Sequence, residues 1–211
     1  DDKVNGAYSV PKGTGLWEPT PPRFIPPIQP YLGNERTFVK GSIDNTIPPP
    51  PPAFSTDSQS AFYKMNDEVY LSSQQLDGDK RATALFWDDF PDGKTRTGGG
   101  HWVSILESVM TDMNVSLIEG ASLYAGLFIT ENDAMIGCFK AKYTYNQIRP
   151  VTYIQKQMNH PDWNSLIITP PHPEYPAAHA TVSMAGATIL TRMQGDNVSF
   201  TDNTYAYRGY K

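Results

Sequence analysis

The chain has 211 residues, of which 17 are Lys or Arg and 22 are Asp or Glu, so its formal net charge is −5. This length is enough to bury the core of one domain, or of one and a half. The acidic balance and the lack of a basic cluster argue against nucleic acid and anionic membranes as partners.

Residues 1–55 are predicted to form a proline-rich extended arm. The first 54 residues contain 12 of the 19 prolines, including the run from Pro48 to Pro52. Proline fixes φ and removes a hydrogen-bond donor, which favours extended, irregular structure. Large apolar side chains are nevertheless too frequent here for a solvated tail. We therefore expect an ordered arm wrapped over a helical body, in preference to a disordered linker.

Residues 56–211 show helical periodicity and are predicted to form a helical domain. Helices are expected at 58–76, at 82–90, from His101 to Met113, at 116–146, at 154–158 and at 177–193. A turn is expected at 91–93. Strand-like alternation is scarce, which predicts an all-α fold. The most apolar run, residues 117–129, is shorter than the roughly 20 residues that a membrane span needs.

The segment Lys142-Tyr-Thr-Tyr-Asn-Gln-Ile-Arg149-Pro150 places two cations seven residues apart. On a continuous helix this spacing is two turns, so both side chains would project from one face. Pro150 disfavours helical geometry at Arg149 and could swing its guanidinium inward. A planar arginine fork and a lysine point charge together suit a tetrahedral oxyanion. The same spacing also occurs in solvated helix ends.

The segment His172-Pro-Glu-Tyr-Pro-Ala-Ala-His179-Ala180 places a histidine where the last helix begins. The free N–H groups of Ala178 and His179 and the positive end of the helix dipole would favour an anion. A structural capping histidine is the alternative. A zinc site made of His172, Glu174 and His179 is a weaker alternative, because the intervening prolines prevent a single helical face.

Together the two segments resemble the superfamily shared by vanadium-dependent haloperoxidases and type-2 phosphatidic acid phosphatases. That superfamily is marked by K-x6-R-P, then P-S-G-H, then S-R-x5-H-x3-D. Residues 142–150 match the first motif completely, and Pro176 and His179 match the second. Ala177 and Ala178 stand where Ser and Gly are usual. Residues 1–211 contain no third motif, so we expect this chain to be part of a larger protein and the remainder of that protein to be its partner.

The resemblance implies a helical bundle of the haloperoxidase or acid phosphatase type that acts on a small-molecule substrate. Vanadate is the expected cofactor, with phosphate as the alternative ligand. The implied oxyanion-binding groups are Lys142, Arg149 and the amide of Ala178, and His179 is the implied acid–base catalyst. Ala177 cannot provide the usual serine hydroxyl, a contact worth on the order of 1–3 kcal/mol.

Two further residues are expected near the pocket. His172 resembles the second histidine of bromoperoxidases, although a surface loop histidine is the alternative. Phe139 could shield the pocket, where some relatives carry Trp, although a core position is the preferred interpretation. The family's metal-bonding histidine belongs to the third motif, so no metal ligand is expected within this segment, which by itself should be inert.

Three readings of function remain open at this point. A haloperoxidase that oxidises halide with hydrogen peroxide is preferred. An acid phosphatase working through a phosphohistidine and a non-catalytic phosphate-binding protein are the alternatives. The first residues lack a signal-peptide pattern, and only the resemblance suggests an extracytoplasmic or periplasmic location. His101 is expected to pack in the core, whereas Asp88, Asp89 and Asp92 are expected to be solvated acids.

Overall fold

The computed structural model describes residues 6–89 and 99–209. These residues form six α-helices and no strand, and their one β-bridge pairs Leu16 with Gln147. The predicted all-α fold is confirmed. The helices are α1 (Ala61–Gln74), α2 (Gly78–Phe86), α3 (Gly99–Met113), α4 (Leu117–Tyr145), α5 (Pro150–Gln157) and α6 (Ala178–Gln194), with 3-10 turns at Leu32–Asn34 and Ala206–Arg208. No helix in the described ranges is long and apolar enough to cross a membrane.

Local side chains set most of the helix ends. Ser60 and Asp77 each accept a hydrogen bond from a first-turn N–H, at the start of α1 and of α2. Ser116 and Glu119 form a capping box at the start of α4. Asn146 then ends α4 with a left-handed backbone, φ 47°. Asparagine tolerates this conformation better than most residues, so the long central helix stops there.

Two short helices begin earlier than predicted. The helix expected at 82–90 is α2, which starts at Gly78 because Asp77 caps it. The piece expected at 154–158 is α5, which starts at Pro150 because proline suits the first helical position. Residue 90 and the turn predicted at 91–93 lie outside the described residues.

The core is built around α4. Its first half packs with α3 and α6, and a second cluster joins α1 to the start of α5. The buried members of the first cluster are Val103, Leu106, Leu123, Leu127 and Leu190, and those of the second are Phe62, Ile148 and Tyr153. These apolar contacts provide the driving force for folding and bring the ends of α4, α5 and α6 close together.

Polar contacts tie the N-terminal residues to this body. The N–H of Trp17 donates to the carbonyl of Asn146 at 2.8 Å. The carboxylate of Asp133 on α4 accepts hydrogen bonds from the N–H groups of Phe38 and Val39 and from the hydroxyl of Ser42, at 2.7 to 3.0 Å. Although burial opposes the charge, these donors lower the pKa of Asp133. The division of the chain at residue 55 stays a prediction.

Gly33 offers a direct test of how tightly these residues pack on α4. A Cβ atom added there would lie 2.5 Å from the Cα of Lys140, which is backbone and cannot move aside. We expect Gly33→Ala to lower the free energy of unfolding by about 1–3 kcal/mol in urea denaturation. Gly78→Ala is the control, because its Cβ would meet nothing within 4 Å. That change should be neutral or stabilising by up to about 1 kcal/mol. Equal effects at both sites would show that the close contact does not exist.

Candidate oxyanion-binding site

The break between α4 and α5 positions the two cations of the first motif. Lys142 lies in the last turn of α4, and Arg149 is the N-cap residue of α5, with φ −79° and ψ 147°. Because α4 ends at Tyr145, the two residues do not share one continuous helical face, and Arg149 has the extended backbone that Pro150 was expected to impose. The turn at Asn146 instead directs both side chains to the loop at residues 170–174.

Lys142 is a completely buried cation, with 0% of its surface exposed. Its Nζ donates to the carbonyls of Pro173, at 2.8 Å, and Glu174, at 2.9 Å. Burial and the charge of Arg149 lower the pKa of Lys142 to about 8. In the described part of the chain, no carboxylate forms an ion pair with this ammonium. Its direct hydrogen-bond partners are therefore carbonyl dipoles, and the charge of Glu174, which pairs with Arg149, favours the ammonium only from a greater distance.

Arg149 is also buried, and its guanidinium organises the loop. Nε donates to the carbonyl of His172 at 2.7 Å, and Nη1 donates to Glu174 Oε2 at 2.6 Å. Nη2 donates to the carbonyl of Pro170 at 3.1 Å and lies 2.8 Å from Nδ1 of His172. These contacts use four of the five N–H donors of an arginine.

His172 is buried, so the surface-loop alternative for this residue is wrong. Burial, followed by the charges of Arg149 and Lys142, lowers the pKa of His172 to about 3, so the ring is neutral at pH 7. Nδ1 lies 2.8 Å from Arg149 Nη2, which can only donate, and 3.2 Å from the carbonyl of Pro173, which can only accept. The shorter contact favours Nδ1 as the acceptor, with the proton on Nε2. Phe139 is buried too, and its ring centre lies 5.3 Å from that of His172. Phe139 therefore packs directly against one of the candidate site residues.

The start of α6 has no side-chain cap. Ala177 is the N-cap residue, with φ −69° and ψ 117°, and its methyl group cannot accept a hydrogen bond. Serine or another short polar residue at this position would satisfy an N–H of the first turn. The N–H groups at the start of α6, including those of Ala178 and His179, therefore receive no acceptor from the cap.

His179 is half-exposed and has a partner that the sequence did not indicate. Its Nε2 lies 3.0 Å from Oδ2 of Asp89, and the side chains are 56% and 7% exposed. Asp89 also contacts the ring of His101 and the hydroxyl of Tyr205. The expectation of a solvated acid is wrong for Asp89, because tertiary contacts 12 to 116 residues away enclose it. No local pattern marks such contacts.

The predicted site residues thus form two adjacent groups. Lys142, Arg149 and His172 meet at the loop, whereas His179 pairs with Asp89. The charge of His179 contributes to lowering the pKa of His172, so the two groups are within electrostatic range. The residues considered as zinc ligands have separate partners, since Glu174 pairs with Arg149. The roles of all these residues, including Ala177, Ala178 and Phe139, stay predictions.

Comparisons with known proteins agree with the motifs. The family model described as the VCPO second helical-bundle domain matches residues 122–209. Among solved structures, one described as the first bacterial vanadium dependant iodoperoxidase is 35% identical, with a TM-score of 0.90. The match covers 100% of this chain and 52% of that chain, so this chain spans about half of its length. A search of curated proteins found no match. The chain is a member of the vanadium haloperoxidase-like superfamily.

Proposed function

We propose that Lys142, Arg149 and the first N–H groups of α6 bind a tetrahedral oxyanion, and that the protein is a haloperoxidase whose oxyanion is vanadate. The observation that carries this proposal is the burial of Lys142 without a carboxylate partner. Burying a cation is costly unless an opposite charge compensates it. An oxyanion beside Lys142 and Arg149 would provide that charge.

The remaining hydrogen-bond donors fit such a ligand. After the contacts within the described chain, Lys142 has one of three N–H groups left, and Arg149 has one of five. The neutral ring of His172 adds its Nε2–H. These donors and the dipole of α6 suit vanadate and phosphate alike. The likeness to a vanadium-dependent iodoperoxidase favours vanadate. When bound, vanadate would supply a Lewis acid that activates hydrogen peroxide for halide oxidation.

We assign proton transfer to His179. If the Asp89 carboxylate accepts the Nε2–H of His179, Nδ1 is the ring atom that remains to accept and release a proton. The carboxylate also stabilises the ring once it is protonated. An exposed ring at the end of an uncapped helix can exchange protons with both substrate and solvent, as a general acid–base must.

The pH dependence of sulfate binding tests the proposed oxyanion site. Sulfate is a suitable probe because its charge does not change between pH 6 and 10. Titration calorimetry on this chain should show binding at pH 7. The affinity should fall as the pH rises past about 8, where Lys142 loses its positive charge. Lys142→Met should weaken binding about 10- to 100-fold at pH 7. The control is Lys140→Met, an exposed lysine on the same helix. Equal affinities of the two variants would refute the role of Lys142.

Activity separates the possible reactions. We expect the protein as isolated from its source, loaded with orthovanadate, to oxidise iodide or bromide with hydrogen peroxide and to halogenate a dimedone-type acceptor. Hydrolysis of p-nitrophenyl phosphate by the vanadate-free protein, without halide oxidation, would select a phosphatase. Sulfate binding with neither activity would select a non-catalytic binding protein.

Ala177→Ser should stabilise α6 and add a hydrogen bond to the bound oxyanion. A serine N-cap stabilises a helix by about 1 kcal/mol relative to alanine, and its hydroxyl could also donate to the oxyanion. We expect the free energy of unfolding to rise by about 1 kcal/mol and halide oxidation to become faster. Ala180→Ser is the matched control, because this exposed residue lies within the helix and cannot cap it. The prediction fails if Ala177→Ser and Ala180→Ser have the same free energy of unfolding and the same rate of halide oxidation.

A further inference from the structure

His101 joins two carboxylates in the interior of the molecule. Its side chain is fully buried, with Nδ1 3.0 Å from Oδ1 of Asp89 and Nε2 2.7 Å from Oδ2 of Asp202. Its ring lies against the aromatic rings of Phe86, Trp87 and Tyr205. The sequence predicted only a packing role for this histidine.

The contacts of His101 define its protonation state. Carboxylate oxygens accept hydrogen bonds, so both ring nitrogens must donate and the ring is an imidazolium. Burial opposes this charge, but the hydrogen bonds and charges of Asp89 and Asp202 outweigh it and raise the pKa of His101. Burial likewise opposes the charge of Asp89, but its hydrogen bonds to His101, His179 and Tyr205 lower its pKa. The pair is thus held in its charged form.

Two donors hold one oxygen of Asp89 and leave the other for His179. Oδ1 receives the His101 ring and the Tyr205 hydroxyl, whereas Oδ2 faces His179 Nε2 at 3.0 Å. The residues after α6 complete this arrangement. Arg208 donates from Nη1 to the carbonyl of Asp88 at 3.0 Å, and its guanidinium lies 4.2 Å from the centre of the Tyr205 ring.

We propose that His101, anchored by Asp202, is a positioning residue that fixes the Asp89 carboxylate so that Oδ2 meets His179. The His179 ring is more than half exposed, and its one hydrogen bond within the described residues goes to Asp89. An Asp89 side chain free to rotate would instead share its oxygens with water. A role of His101 in catalysis rests on the proposed function, because it requires His179 to be the acid–base catalyst.

The charges of the group support this arrangement. Asp89, His101 and Asp202 together carry one net negative charge, which a protonated His179 would neutralise. Arg208 is a further charged group nearby, with its guanidinium 4.2 Å from the centre of the Tyr205 ring. Among Asp89, His101 and Asp202 alone, a proton on His179 would leave no unbalanced charge.

Nuclear magnetic resonance of the histidine rings tests the proposal on the chain itself. In the unmodified protein at pH 7, the 15N shifts of His101 should show both ring nitrogens protonated. His179 should show an Nε2–H proton that is shifted downfield by its hydrogen bond to Asp89. Asp89→Asn and His101→Asn should both abolish that His179 signal. The matched control is His160→Asn, because the His160 ring stacks on Tyr70 and should not affect the His179 signal.

Each outcome has a definite meaning. A neutral His101 ring at pH 7 overturns the proposal, and so does a His179 signal that persists in a folded His101→Asn variant. If His101→Asn does not fold, Tyr205→Phe and Asp202→Asn carry the test, and an unchanged His179 signal in both overturns it. These measurements need no bound oxyanion. Lost sulfate and vanadate binding with the predicted ring signals would therefore refute the proposed function alone.

Discussion

Arg149→Ala should lower the free energy of unfolding by about 2–3 kcal/mol and weaken sulfate binding about 10- to 100-fold. The change removes the donors for the carbonyls of Pro170 and His172 and leaves the Glu174 carboxylate without its partner. Glu174 is 31% exposed, so water offsets part of that loss. Urea denaturation and titration calorimetry measure the two effects.

Two controls sharpen this result. Arg192→Ala removes an exposed arginine in the last turn of α6 and should change neither quantity by more than about 0.5 kcal/mol. Arg149→Lys keeps the charge but loses the planar fork, so it should retain part of the sulfate affinity and little of the loop stability. Unaltered sulfate binding by Arg149→Ala would exclude Arg149 from the oxyanion site.

His179→Ala should reduce halide oxidation by the vanadate-loaded protein about 10²- to 10⁴-fold, the usual contribution of a general acid–base. His179 is half-exposed, so its removal should leave the fold intact although Asp89 loses one contact. Sulfate affinity should stay within about tenfold, since the buried cations remain. The comparison of peroxidase rate with sulfate affinity therefore separates proton transfer from binding.

The matched control for this variant is His160→Ala. His160 stacks on Tyr70 and contacts none of the candidate site residues in the described structure. Its removal should leave halide oxidation unchanged. Full activity in His179→Ala, with vanadate still bound, would assign proton transfer to a different group and would also remove the catalytic role of Asp89.

Short-range chemistry in the sequence was enough to predict the helical fold, the long central helix and the superfamily. The Ser116–Glu119 capping box, the left-handed turn at Asn146 and the proline at the start of α5 act over a few residues. The K-x6-R-P spacing and the P-x-x-H segment are likewise local, so they predicted the cations and the histidine without knowledge of the packing.

Only the tertiary structure decided what surrounds those residues. The burial of Lys142 and the Arg149–Glu174 pair depend on how the loop at 170–174 folds over the end of α4. The contacts of Asp89 with His179 and Tyr205 join residues 90 and 116 positions apart. Hydrogen bonds and ion pairs act only over a few ångströms. Partners this far apart in sequence are therefore chosen by helix packing, and no local pattern of residues encodes them.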